Sequence, residues 1–224
     1  MKIAEIFYSI QGEGILAGVP SVFIRTSGCN LRCSWCDTPY TSWNPEGEDM
    51  SVEAILDRVF ECPAARHVVV TGGEPMIAPG IVELTRGLRE RELHITIETA
   101  GTVFAPVVCD LMSISPKLAS STPEGEFRVR HERLRMQPFV LRRLISAYDY
   151  QLKFVMSRQE DIHEVRNTVN QIEANPSNVV LMPEGITPEA LRDRSEWIIE
   201  YCKRFNYRYG PRLHVDIWGN RRGV

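Results

Sequence analysis

His67-Val68-Val69-Val70-Thr71-Gly72-Gly73-Glu74-Pro75 decides the architecture. Three consecutive valines leave no polar face, and a strand apolar on both sides belongs in a sheet covered on both sides, typically a parallel one. Gly and Pro then end the run, so Gly73 and Glu74 stand where the chain turns. Outward from this segment the pattern repeats. Lys2 to Tyr8, Ser21 to Arg25, Leu93 to Glu98, Leu111 to Ser115, Tyr150 to Met156, Asn178 to Met182 and Leu213 to Trp218 read as further strands. Helical patterns fall over Ser51 to Phe60, Gly80 to Glu92, Arg130 to Ala147, Ser157 to Ala174 and Pro188 to Asn206. Parallel neighbours need crossover connections, so the expected fold is α/β: an incomplete, modified (β/α) barrel of mostly parallel strands. With no repeat and no long linker, residues 1–224 are expected to form a single domain. Ser120 to Glu126, rich in Ser, Pro and Gly, is its expected mobile loop.

Composition narrows the function classes. The chain is 43% hydrophobic and 25% charged, enough to bury one good core. A net charge of -3 carries no nucleic-acid signature. No long apolar run points to a membrane, and Met1 to Gly14 lacks the basic start and apolar core of a signal peptide. Cytoplasmic residence is the expectation, which suits reduced thiols.

Strand Ser21 to Arg25 delivers Gly28 and then Cys29-Asn30-Leu31-Arg32-Cys33-Ser34-Trp35-Cys36. Three thiolates spaced this way in a polar loop can converge on one small cluster. A closed structural zinc site wants a fourth Cys or His ligand, and none follows within twenty residues. Buried packing cysteines remain the plain alternative, and that is the reading given to the isolated Cys62, Cys109 and Cys202. In parallel β/α folds ligands gather at the carboxyl ends of strands. Gln11-Gly12-Glu13, the cysteine loop, Thr71-Gly72-Gly73-Glu74, Glu98-Thr99, Ser115-Pro116-Lys117 and Pro183-Glu184 all fall there.

The C-x3-C-x2-C spacing, with Trp35 before the last cysteine and Gly-Gly-Glu-Pro downstream, resembles the radical S-adenosylmethionine (SAM) superfamily. The resemblance implies that Cys29, Cys33 and Cys36 hold a [4Fe-4S] cluster whose fourth iron takes the amino acid end of SAM. It further implies SAM contacts from Trp35, Gly73, Glu74, Ser115, Lys117, Met182, Pro183 and Glu184. Trp35 could instead be a packing aromatic, and Leu-Met-Pro-Glu-Gly only a strand and turn.

A narrower resemblance runs nearly end to end. Glu5-Ile6-Phe7-Tyr8-Ser9-Ile10-Gln11-Gly12-Glu13-Gly14, Phe23-Ile24-Arg25, Cys36-Asp37-Thr38-Pro39-Tyr40 and Trp218-Gly219-Asn220-Arg221-Arg222-Gly223-Val224 are similar to the 7-carboxy-7-deazaguanine synthases. Those enzymes turn 6-carboxy-5,6,7,8-tetrahydropterin into 7-carboxy-7-deazaguanine with loss of ammonia, in queuosine and 7-deazapurine biosynthesis. The implied chemistry is reductive cleavage of SAM, hydrogen abstraction at C6 of the pterin and ring contraction. Arg25 suits the substrate carboxylate, because a guanidinium pairs with two oxygens at once. Ile10, Gln11, Gly12 and Glu13 would read the ring edge, while Thr71, His214 and Val224 complete the wall. His214 could equally be structural, and Arg25 an ion-pair residue. Thr38 is the implied Mg2+ ligand, with substrate oxygens and waters filling the octahedron. A homodimer and an acidic flavodoxin-type electron donor are also implied. Arg128, Arg130, Arg133, Arg135, Arg142 and Arg143 could receive that donor or form a solvated helix face. The rival expectations are a glycyl-radical-enzyme activase of the same superfamily and a non-enzymatic iron-sulfur electron carrier.

Overall fold

The computed structural model describes all of residues 1–224. Nine strands form one sheet: β1 (Lys2–Ile10), β2 (Pro20–Thr26), β3 (Glu48–Asp49), β4 (His67–Gly72), β5 (His94–Thr99), β6 (Leu111–Ile114), β7 (Tyr150–Met156), β8 (Val179–Pro183) and β9 (Arg208–Tyr209). Their spatial order is β3-β1-β2-β4-β5-β6-β7-β8-β9, and its two ends do not pair, so the barrel is incomplete as expected. From β2 to β9 every pairing is parallel. β1 runs antiparallel to both β2 and the short β3. The valines of β4 are buried on both faces, as their sequence demands.

Eight helices accompany the sheet: α1 (Pro39–Ser42), α2 (Val52–Phe60), α3 (Ile81–Arg89), α4 (Arg128–Arg135), α5 (Pro138–Ala147), α6 (Asp161–Gln171), α7 (Pro188–Phe205) and α8 (Leu213–Trp218). Their starts follow local chemistry. Ser51 caps α2 by accepting from Ala54 N, and Thr187 caps α7 by accepting from Ala190 N. The inward faces of α2, α3, α5, α6 and α7 bury Ile55, Leu84, Leu141, Val165 and Ile198 in the core that lines the sheet. This leaves the carboxyl ends of the parallel strands on one side, free to carry a site.

Three expectations are corrected. Leu213 to Trp218 is a helix, not the last strand: its Leu-His-Val-Asp-Ile alternation imitates a strand, but β9 already takes the place beside β8. Pro211 cannot donate to a ladder, and the buried Arg212 turns the chain inward, where Leu213 N bonds to Gly12 O. Arg130 to Ala147 is two helices, because Pro138 opens α5 and the Gln137 amide donates to Arg133 O and Leu134 O at the end of α4. Ser120 to Glu126 is not one irregular loop: Ala119–Ser121 and Gly125–Phe127 are 3-10 turns, with Ser121 buried and bonded to the ring of His131, while Glu124 to Glu126 are exposed. No helix is long and apolar enough to cross a membrane.

Candidate active site

The cysteine loop leaves β2 and returns through α1. Gly28 adopts a φ of 108° that favours glycine; its N–H donates to Thr41 O and its carbonyl accepts from Glu74 N. From outside, Ser34 N bonds to Ser121 O, Trp35 Nε1 to Ser120 O, Arg32 N to His131 Nδ1 and Trp43 Nε1 to Cys33 O. Cys29, Cys33 and Cys36 are free and line one cavity at the carboxyl ends of the strands. Burial pushes the Cys29 thiol up to about 11 and the Cys33 thiol to about 12, so positive charge is required to hold them as thiolates. No three His, Cys, Asp or Glu side chains converge on one point that would hold a single ion. The three thiols line one cavity, with Leu31 N–H 3.4 Å from Cys29 Sγ, and thiolates are the donor set that iron-sulfur clusters use.

The glycine edge of β4 packs against this loop. A Cβ on Gly73 would lie 2.2 Å from Gly28 O, and one on Gly72 would lie 2.1 Å from Thr26 O, so neither position tolerates a side chain. Gly73, Trp35, Ser115, Lys117 and Glu184 line the cavity. Lys117 Nζ is 2.8 Å from Ser115 Oγ and 5.8 Å from the centre of the Trp35 ring. Glu184 pairs with Arg194 at 3.1 Å. Glu74 sits behind the wall, not on it. Its carboxylate accepts from Thr99 Oγ1, Ala100 N and Met76 N, fixing the turn after β5. Burial raises its pKa against those hydrogen bonds. Met182 and Pro183 are buried in β8 and also stand behind the lining.

The same cavity is lined by Ile10, Gln11, Gly12, Glu13, Arg25, Thr38, Thr71, His214 and Val224, drawn from separate stretches of the chain. Arg25 Nε donates to Glu5 Oε1 at 2.6 Å, and Tyr40 OH donates to the same oxygen at 2.8 Å. The guanidinium is thereby anchored through one nitrogen and lies 5.7 Å over the Phe7 ring, with no hydrogen bond from its terminal pair to protein. Thr38 Oγ1 accepts from Thr41 Oγ1 at 3.3 Å. Gly12 makes room for His214, since a Cβ there would lie 2.0 Å from Nδ1. Burial lowers the His214 pKa against the pull of Glu13, which keeps the imidazole neutral near pH 7.

A charge network that sequence reasoning missed, with its two cations Lys153 and Arg212 buried and its carboxylates partly exposed, lines the same cavity. Lys153, in the middle of β7, bonds to Glu13 at 3.0 Å and to Glu98 at 2.9 Å. Glu98 also accepts from Thr71 Oγ1 and Gln11 Nε2. Arg212 bonds to Glu13, to Asp37 and to Gly185 O. Burial alone would raise the carboxyls of Glu13 and Asp37; Lys153 and Arg212 outweigh it for Glu13, and Arg212 does so for Asp37, so both fall below the ordinary range. The network contributes fixed charges and donors to the same cavity that the three thiols line. A lone lysine inside Gln-Leu-Lys-Phe-Val was the one local signal for it.

The radical SAM superfamily model matches residues 23–120. A 7-carboxy-7-deazaguanine synthase from Rhodopirellula baltica is 46% identical, with 100% of this chain and 89% of that protein covered. Another from Halobacterium salinarum is 44% identical over 98% of this chain and 91% of its own length. The crystal structure of QueE from Escherichia coli superposes with a TM-score of 0.71 at 26% identity, covering 95% of this chain and 94% of that one. The superfamily's defining groups, a [4Fe-4S] cluster and SAM, fit the three thiols and the strand-end edge beside them. Matched along its whole length and carrying the superfamily's cysteine loop, the chain belongs to the 7-carboxy-7-deazaguanine synthase family of radical SAM enzymes.

Proposed function

We propose that this protein is a carbon-nitrogen lyase that converts 6-carboxy-5,6,7,8-tetrahydropterin to 7-carboxy-7-deazaguanine, releasing ammonia on the route to queuosine and related 7-deazapurines. The observation that carries this reading is a single cavity lined both by three thiols, Gly73 and Lys117 and by Arg25, Gln11, Glu13 and His214. When bound, the cluster and SAM supply one-electron bond cleavage.

Cys29, Cys33 and Cys36 hold the cluster. The strand-end edge at Gly73 receives the SAM amino group, Lys117 and Ser115 its polar end, and Trp35 and Glu184 its adenine side. Glu74 shapes this edge through Thr99 and Ala100, and Met182 and Pro183 back Glu184. The free fork of Arg25 takes the pterin carboxylate. Gln11 and Glu13, with the backbone of Ile10 and Gly12, read the amide and amino edge, and Thr71, His214 and Val224 close the wall. Thr38 offers one oxygen to Mg2+, which substrate oxygens and water complete. Charged groups fixed before the guest arrives would orient it within the cavity and exclude water.

The active form we propose is a cytoplasmic homodimer of one-domain chains, reduced by an acidic flavodoxin-type protein. Arg128, Arg130 and Arg133 remain exposed for that donor, whereas Arg135 is engaged by Glu132 and Glu164, Arg142 donates to Gln171 O and Arg143 stacks on Phe104. The test is anaerobic incubation of the reconstituted protein with SAM, Mg2+, reductant and the carboxytetrahydropterin. A deazaguanine chromophore of the right mass, with equimolar ammonia, supports the assignment; an unaltered pterin beside an intact cluster overturns it.

A further inference from the structure

Ser42 closes α1, the single turn behind the cysteine loop, and is 3% exposed. Its hydroxyl has one polar neighbour, Cys36 Sγ at 3.2 Å. The residues on either side hold it still: Thr41 O accepts from Gly28 N, and Trp43 Nε1 donates to Cys33 O. In the free thiol either atom could donate. Once Cys36 has given up its proton to bind iron, sulfur can only accept, so the hydroxyl must donate. The alternative is a buried hydroxyl with no partner, a cost that folded proteins avoid. Thr38 Oγ1 is 3.9 Å from the same sulfur, a longer contact that does not replace it.

Resting on the reading of Cys36 as an iron ligand, we propose that Ser42 is a positioning residue. Its O–H···S bond to Cys36 raises the reduction potential of the cluster. A hydrogen bond drains charge from the thiolate and so favours the reduced cluster, whose added electron it helps to stabilise. Cys29 has a backbone counterpart in Leu31 N–H, which mutation of a side chain cannot remove. The bond to Cys36 is therefore the one that substitution can isolate.

The test compares wild type, Ser42→Ala and Ser42→Thr, each reconstituted anaerobically and assayed for iron. Potentiometric titration followed by electron paramagnetic resonance, without SAM or pterin, reads the potential directly. Ser42→Ala should be about tenfold harder to reduce, a fall of about 59 mV for a one-electron couple, and Ser42→Thr should match wild type. Pulsed spectra in D2O should show an exchangeable hydrogen coupled to the reduced cluster in wild type and Thr, lost in Ala. An alanine variant with full iron and the wild-type potential overturns the proposal. If that variant holds no cluster, wild type and Thr decide. A hydroxyl deuteron coupling in both, stronger than that of backbone amides, supports the proposal, and its absence from wild type overturns it. A protein holding no iron at all fails the cluster reading whatever Ser42 does.

Discussion

Lys153 Nζ stands 3.0 Å from Glu13 Oε2, joining the middle of β7 to the loop after β1 across 140 residues of chain. The lysine side chain is only 5% exposed, and Glu98 occupies its other flank at 2.9 Å. Lys153→Met removes the cation that Glu13 and Glu98 share; the two carboxylates are 19% and 21% exposed, and only Glu13 keeps a second cation, Arg212. Breaking one partner of a buried ion pair typically costs about 3–5 kcal/mol. Urea unfolding of the variant should show a loss of that order, accompanied by weaker pterin binding. Wild-type stability would mean that Glu13 and Glu98 reach water without it.

The same network sets a dependence on pH. Glu13 is ionised in the folded protein at pH values where the unfolded chain binds a proton. Its stabilising contribution is therefore complete above its ordinary value of 4.5 and shrinks as pH falls toward its depressed folded value. Asp37 acts in the same sense below its ordinary 3.8. Urea titrations between pH 6 and 3 should show Glu13→Gln losing less stability on acidification than wild type. Parallel curves would separate Glu13 from the acid transition.

Arg25→Lys keeps the charge but loses the planar fork. A charge-assisted hydrogen bond contributes about 1.5–3 kcal/mol, so the KM for carboxypterin should rise roughly 10- to 100-fold, with a smaller change in kcat. Glu5→Gln, which weakens the anchor on Arg25 Nε, should raise KM less. A pterin lacking the carboxylate should bind all three proteins equally weakly; unequal binding would place Arg25 elsewhere on the guest.

At Gly73 the neighbours are backbone atoms, which cannot step aside: Gly28 O at 2.2 Å and Thr41 O at 2.7 Å from an added Cβ. Gly73→Ala should cost about 1–3 kcal/mol, as overpacking does, and should reduce iron retained after reconstitution because the displaced atoms carry the cysteine loop. Full iron content in a stable alanine variant would show that the loop has slack.

These residues also show what the sequence could and could not disclose. The cysteine loop and the Gly-Gly-Glu-Pro turn were legible because each packs its chemistry into a few consecutive residues. The β-branched runs were legible because burial on two faces leaves no polar alternation. Arg212 was not: its partner Asp37 is 175 residues away, and nothing in Pro-Arg-Leu-His marks the arginine as buried. The helix at Leu213 to Trp218 was misread for a related reason. Only Val215 of its apolar residues is buried deeply, while Ile217 and Trp218 are exposed, so the alternation carried no information about a sheet. Glu74 lay in a legible motif, yet its hydrogen bonds to Thr99 and Ala100 depend on the pairing of β4 with β5.

The central claim is an iron-sulfur cluster held by three thiolates, with one iron open to SAM. Mössbauer spectra of protein reconstituted with 57Fe, recorded before and after SAM is added, test it most directly. Four irons per chain, one of them changing its spectrum on addition of SAM, is the predicted result. A lone zinc, or four irons all indifferent to SAM, would contradict it.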